Sequence, residues 1–384
     1  MDKFTINLKP HSQNYNNTTP FPKFTKPQIV GYFSLDQNRE YRSTLQNLKY
    51  LCRDVFEPNN GNLCFDLNRE YKNYVEKPES AHNEKIDKLL EFIKEKYESI
   101  RDMDGNRFIS SEFICFRGLL RLVMCTPYEN REKWIILGMR YKGNIYLCAE
   151  ETDEKRIEKS NMTDKNKLFC SYGFKFEQYL LSDHPKEKPR PEMPVIEAEE
   201  FCLIYRVKLK DNSVLFGAEM DGADTDMEIK TLKDLQNTKF VELKVKREEQ
   251  KYYQKQNFVK FKQIKWWCQS FLVGIEDVLV GLRDDKGIVY EVERHRVSEM
   301  PSYAKQFREH WIPSICMQFL SDFLSKVKEC MKEIDSNQDV FMFEYDPKSD
   351  IDVKCTHFKG HNEYSFLPQN YIDFVERNSI TNKR

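Results

Sequence analysis

Three extended, largely apolar segments follow one another in the middle of the chain, and the last two carry paired charges. They are FCLIYRVKL (201–209), VLFGAEMD (214–221) and FVELKVK (240–246). Side chains alternate across a strand, so residues i and i+2 share a face. Glu219 and Asp221 therefore project together at the end of the second segment, and Glu242 and Lys244 project together in the third. If these two strands are neighbours, three carboxylates and one ammonium converge. A long helix is expected next, over roughly residues 254–273, with Lys262, Lys265 and Gln269 on one face and Trp267 and Phe271 on another.

Around this centre the chain alternates between helical and extended patterns. NEKIDKLLEFIKEKYE (83–98) has one apolar stripe at helical spacing. Two hairpins are expected, one around Lys142-Gly143-Asn144 and one around Asp285-Lys286-Gly287. A second long helix starts near Cys316, and VFMFEY (340–345) reads as a late strand. Residues 152–167 read as a polar stretch and PKEKPRPEMP (185–194) as a surface loop. The first 27 residues, rich in Asn, Thr and Pro, are expected to form a flexible tail, with 28–384 as a single catalytic domain. The fold class that follows is α/β (α+β), with mixed central β-sheets flanked by helices.

Composition narrows the function. Lys and Arg number 61 against 62 Asp and Glu, a net charge of −1, which excludes a globally basic polyanion binder. That total hides segregation, because the window from Lys244 to Lys265 is strongly basic. No stretch approaches the ~18 apolar residues of a membrane span, and no secretory signal is expected from the first residues. The eleven cysteines include no CxxC pair, in keeping with free thiols in a reducing compartment. Cys355, His357 and His361 make a C-x-H-x3-H cluster that lacks a fourth ligand and a second half-site, so zinc is not expected there.

Converging carboxylates are costly unless a cation neutralises them, and oxygen-only donors suit a hard divalent ion. A lysine beside them can hold a phosphate oxygen. Such parts suit metal-assisted hydrolysis of a phosphodiester or pyrophosphate. The alternative is a wet strand face with alternating charges, and ELK alone is too common to decide between them. GFKFE (173–177) offers a further acid, Glu177, whose alternative is likewise a solvent-facing position.

The ordered motifs nevertheless form a pattern. An acid at a strand end followed by E-x-K resembles the PD-(D/E)XK nuclease superfamily. CFRG around Arg117, GFKFE, GAEMD, ELK and KWWCQSFLVGI (265–275), with GYFSLD (31–36) and TPYE (126–129), together resemble the DXO/Rai family of RNA 5′-end decapping and exoribonuclease enzymes. The resemblance implies a PD-(D/E)XK nuclease-like core and a divalent-metal cofactor, Mg²⁺ or Mn²⁺, as two ions. Glu177, Glu219, Asp221 and Glu242 would bind them, helped by the Leu243 carbonyl. It also implies that Lys244 and Gln269 contact the scissile phosphate and that Arg117 holds an RNA phosphate. The implied activities are decapping of incomplete or non-canonical caps, pyrophosphate release from 5′-triphosphate RNA, NAD-cap removal and 5′–3′ exoribonuclease action, in mRNA 5′-end quality control. A second implied role is as stabilising partner of a nuclear 5′–3′ exoribonuclease of the Rat/Xrn type, with nuclear residence and cytoplasmic residence as its alternative. Substituting Glu242 or Asp221 by Ala is expected to abolish hydrolysis and spare the fold.

Overall fold

The computed structural model describes residues 2–5, 8–10, 15–56, 63–248, 251–349 and 353–381. In the first half the strands are β1 (Asp2–Thr5), β2 (Gln28–Leu35), β3 (Tyr41–Arg42), β4 (Tyr50–Leu51), β5 (Phe65–Asp66), β6 (Phe113–Phe116), β7 (Trp134–Tyr141), β8 (Asn144–Glu150) and β9 (Leu181–Ser182). Then come β10 (Glu200–Leu209), β11 (Asn212–Glu219), β12 (Gly222–Ala223), β13 (Phe240–Arg247), β14 (Asp277–Arg283), β15 (Ile288–Arg296), β16 (Val340–Tyr345) and β17 (Lys354–Phe358). The helices are α1 (Asp87–Ile100), α2 (Arg117–Cys125), α3 (Asp153–Ser160), α4 (Asp164–Leu180), α5 (Leu232–Asn237), α6 (Tyr252–Phe258), α7 (Ile264–Val273), α8 (Met300–Ala304), α9 (Pro313–Cys330) and α10 (Gln369–Thr381).

Two mixed sheets organise these elements. The larger has the order β1-β17-β16-β7-β8-β6-β11-β10-β2-β3 and the smaller β5-β15-β14-β13-β12-β4-β9. Alternation along each strand separates three apolar clusters. Leu215 and Ile204 face a cluster built with Leu89, Phe92 and Ile93 of α1 and Tyr371 of α10. Val214, Phe216 and Leu203 face the central cluster, which holds Leu120 of α2, Trp267 of α7, Phe319 of α9 and, from the smaller sheet, Val278 and Val280. Leu243 and Leu279 face a third cluster with Phe176 and Leu180 of α4. The layers therefore run helices, large sheet, helices, small sheet, helix, which is the expected α/β (α+β) architecture.

Several expectations change here. The strands carrying the charge pairs are not neighbours in one sheet. β11 ends at Glu219, and the chain crosses at Met220-Asp221 into the smaller sheet, where β12 pairs antiparallel with β13, Gly222 opposite Val241. The polar stretch 152–167 holds two helix starts, with Thr152 and Thr163 each accepting a backbone N–H three residues on. Within the N-terminal segment expected to be loose, Asp2–Thr5 pairs with β17, Leu8 is buried and the Tyr15 hydroxyl donates to Asp322 at 2.8 Å. His357 is bonded to Asp339 at 2.8 Å and stacks on Phe341, while Cys355 of the same strand packs into the core. Among the described residues no helix is long and apolar enough to cross a membrane.

Candidate active site

Elements of both sheets and three helices meet at the site: β11, β13, α2, α4 and α7. β6 runs parallel to β11, Phe116 beside Gly217, so Arg117 at the start of α2 stands next to the end of β11. This closeness depends on Gly217, because a Cβ there would lie 2.7 Å from the Phe116 ring. β12 sets Asp221 beside β13, and Asp221 Oδ2 accepts the Leu243 N–H at 2.6 Å. On α4, Phe176 packs over Gly281 of β14, where a Cβ would lie 2.7 Å from its ring. That close approach of helix to sheet fixes the position of the next residue, Glu177.

Glu242 is the buried hub, with no exposed surface. Its Oε1 accepts from Lys244 Nζ and from Gln269 Nε2 at 2.5 Å, and its Oε2 lies 3.4 Å from Arg117 Nη1. Arg117, also buried, donates from Nη2 to the Glu219 carbonyl at 3.0 Å. Lys244 Nζ lies 4.0 Å from Asp221 Oδ2. The structure thus brings Asp221, Glu242, Leu243, Lys244, Gln269 and Arg117 into one bonded network.

The carboxylates divide by charge balance. Burial pushes Glu242 upward, but Lys244 and Arg117 outweigh it and hold the group below the usual glutamate range. Burial also opposes the charge of Lys244, and Glu242 and Asp221 outweigh it, so the ammonium is retained. The other three shift the opposite way. Burial and Glu242 raise Asp221 to about 6, and burial, Glu200 and Asp221 raise Glu219 to about 8. Burial, Asp221 and Glu219 push Glu177 well above its ordinary value. Glu219 is itself exposed, and it stands between the two cavities, lining both.

Three oxygen-donor side chains with surplus negative charge match a hard divalent ion in chemistry. Their arrangement is not yet a coordination shell. Among the described residues no three carboxylate, imidazole or thiolate groups are grouped so as to hold one ion. The physical reason is visible at Glu242, whose oxygens are taken up by Lys244, Gln269 and Arg117. An incoming cation has to compete with the Lys244 ammonium for that carboxylate. Arg117, expected to hold an RNA phosphate, spends two nitrogens inside the network, although it also borders a cavity.

Two cavities flank the site. One of about 500 Å³ is lined by Glu177, Glu219 and Asp221 together with Lys49, Lys188 and Arg190. The other, of about 410 Å³, is lined by Arg117, Arg121, Lys88 and Gln269. Glu200 and Glu219 border both. Glu200 is the acid that sequence reasoning missed. It opens β10, is bonded to Lys77 at 2.9 Å and Arg39 at 2.6 Å, and was signalled by the acidic run EAEE before that strand. The strongly basic Lys244–Lys265 window supplies no cation to the lining of these two cavities. Lys265 lies 3.8 Å from Glu132, and Lys260 is paired with Glu309. The cations lining the second cavity come from α1, α2 and neighbouring loops instead.

The chain matches the model of the RAI1 like PD-(D/E)XK nuclease family over residues 25–372. It is 35% identical over 322 residues to the Drosophila melanogaster decapping and exoribonuclease protein Rai1, covering 82% of this chain and 83% of that one. The crystal structure of Scheffersomyces stipitis Rai1 in complex with (3′-NADP)⁺ and calcium ion aligns at a TM-score of 0.79 and 20% identity, covering 98% of this chain and 100% of that one. Candida albicans Rai1 in complex with pU5-Mn²⁺ aligns at a TM-score of 0.78 and 17% identity, with 97% and 100% covered. At such identities the two structures speak for the fold. The family match over most of the chain and the fly relative establish kinship: this protein belongs to the RAI1-like PD-(D/E)XK nuclease family.

Proposed function

We propose that this protein hydrolyses RNA 5′ ends with divalent cations, as a decapping enzyme for incomplete or non-canonical caps. Pyrophosphate release from 5′-triphosphate RNA, NAD-cap removal and 5′–3′ exoribonuclease action belong to the same proposal. The observation that carries it is the buried network of Glu242, Lys244, Gln269 and Asp221 beside a cavity lined by Glu177, Glu219 and Asp221. The fly relative's name, the pU5-Mn²⁺ complex of the Candida protein and the dinucleotide complex of the Scheffersomyces protein support the same reading.

The four carboxylates and the Leu243 carbonyl would hold magnesium or manganese, as two ions. Bound there, the ions would offset charge on the phosphate and lower the pKa of water. Lys244, released from Glu242 in exchange, donates to a non-bridging phosphate oxygen. Gln269 donates its amide N–H to the same group. Arg117 keeps Glu242 oriented and presents its remaining edge to RNA phosphate in the second cavity. A nuclear 5′–3′ exoribonuclease of the Rat/Xrn type as partner, and residence in the nucleus, complete the proposal.

The test is a panel of RNAs bearing triphosphate, monophosphate, hydroxyl, unmethylated cap, methylated cap or NAD cap, each with Mg²⁺ and with Mn²⁺. Metal-dependent release of pyrophosphate or of a cap nucleotide is expected. No product from any of them with either metal overturns the reading.

A further inference from the structure

Strand β13 does not stop at the active site. Its face alternates Glu242, Lys244, Lys246, and two residues along a strand span about 6.6 Å. Lys246 therefore continues the Lys244 side of the strand away from the carboxylates. It sits 4.5 Å over the Phe258 ring and opens on a third cavity of about 520 Å³. Lys255, Arg294, Arg296 and Tyr303 also line this cavity. Its acids are engaged: Glu293 with His295 at 2.8 Å and Lys246 at 3.9 Å, Glu299 with Arg296 at 3.6 Å, and Glu248 with the Tyr290 hydroxyl at 3.3 Å. Among the described residues Lys255 and Arg294 form no ion pair, and both are exposed.

Two further features point to a ligand. Gln263 lines the cavity, is 1% exposed, and its Oε1 has no hydrogen-bond partner. A buried amide oxygen without a donor costs stability. It lies in the π-helical turn Val259–Gln263 between α6 and α7, the kind of helix defect common at functional positions. The second feature is a run of rings at the rim. Tyr303, Phe307 and Tyr252 follow one another at 5.4 and 5.5 Å, and Tyr303 and Tyr252 are 38% and 62% exposed. Cations beside exposed aromatic faces are what a single strand of nucleic acid binds, through phosphate and base stacking.

We propose that this cavity holds the backbone of single-stranded RNA beyond the nucleotide being cleaved. Lys255 and Arg294 contact phosphates, Tyr303 and Tyr252 offer stacking faces, and Gln263 Oε1 accepts a ribose 2′-hydroxyl, the group that separates RNA from DNA. The inference rests on the RNA-hydrolase reading above, and its test separates the two.

Equilibrium binding is measured in Ca²⁺ for a 5′-monophosphate trinucleotide and for an RNA of about twelve nucleotides, within the usual site sizes of single-strand binders. The proteins compared are wild type, the double variant Lys255→Glu/Arg294→Glu, and Gln263→Leu, none of which alters a residue of the carboxylate site. Wild type should bind the longer RNA more tightly. The double variant should lose about tenfold on the longer RNA and nothing on the trinucleotide. Its salt slope should fall by about 1.4, at about 0.7 per phosphate contact. Gln263→Leu should narrow the preference for the longer RNA over DNA of the same sequence. Equal losses on both lengths overturn the proposal. So does an unchanged double variant, which would leave the cavity to a protein partner. A wild type that binds both lengths equally overturns it while leaving hydrolysis intact. A wild type that binds with length dependence but cleaves nothing overturns the RNA-hydrolase reading alone.

Discussion

Glu242, buried behind the cleft, and the trio of Glu177, Glu219 and Asp221 that lines it experience opposite electrostatics. Glu242 is fully enclosed, yet two protein cations keep it ionised. The trio is pushed toward protonation by burial and by neighbouring carboxylates: Glu242 acts on Asp221, Glu200 and Asp221 on Glu219, and Asp221 and Glu219 on Glu177. The protein has thus neutralised one carboxylate itself and left three for an external charge. Glu242 is therefore as much a structural residue as a candidate ligand, and the trio is built for binding at a cost to stability.

The largest effect should separate these roles by activity. Asp221→Asn keeps an oxygen to accept the Leu243 N–H but removes one ligand charge. RNA 5′-end hydrolysis should drop by at least ~100-fold, on the order of 3 kcal/mol of barrier. Thermal denaturation without metal should show the variant as stable as wild type or more so, because a like-charge contact is gone. Retained activity would remove Asp221 from the site.

Glu242→Gln should also abolish activity, but at a price in folding. The neutral amide leaves buried Arg117 and Lys244 without their counter-charge, and breaking such a pair costs about 3 kcal/mol or more. The expectation from sequence is that alanine at either position spares the fold; the buried ion pairs of Glu242 predict instead a larger loss of stability there than at Asp221. Urea unfolding of the two variants side by side measures the difference. Equal midpoints would mean that the Glu242 network contributes nothing to stability.

What was legible in the sequence follows from how local each signal is. The hairpins β7–β8 and β14–β15 were visible because alternation flanks a turn, with Gly143 and Gly287 at positive φ where the chain reverses. The grouping of Glu219, Asp221, Glu242 and Lys244 was visible from spacing two. Its cause was not, because a crossing between sheets at Met220-Asp221 leaves no pattern. β1 was hidden because it pairs with β17 from the opposite end of the chain. α4 was hidden because its apolar stripe is broken by Gly173, Lys175 and polar residues. Its Thr163 cap was legible and would have turned Glu177 from the end of an aromatic run into a helical position.

A smaller change tests whether the position of Glu177, and not only its charge, matters. Gly281→Ala adds a methyl 2.7 Å from the Phe176 ring, which is fully buried. Overpacking of this kind costs about 1–2 kcal/mol. The strain is relieved by moving α4 outward, and Glu177 moves with it. Activity should fall about tenfold, since displacements well under 1 Å are felt in a preorganised site. Adding Phe176→Leu should return much of it, and no recovery would mean that the glycine serves something other than the approach of α4.

The smallest effect is in the pH dependence of metal stabilisation. A carboxyl whose folded pKa lies above its unfolded value binds more protons when folded, so stability falls as pH rises between the two. For Asp221 that window ends at about 6 and for Glu219 at about 8, from ordinary values near 4. Glu242 runs the other way, and its contribution is lost only in acid, as pH falls below the ordinary glutamate range. The metal-free protein should therefore lose stability from about pH 4 to pH 8. A divalent cation cancels the repulsion that causes the loss, so the rise in Tm on adding Mn²⁺ should be larger at pH 8 than at pH 5. In Glu219→Gln the difference between the two pH values should shrink, because the carboxyl raised to about 8 is gone. A rise in Tm independent of pH would show that the trio is not what the ion neutralises, and would leave Glu242 and its two cations as the only electrostatically tuned part of the cleft.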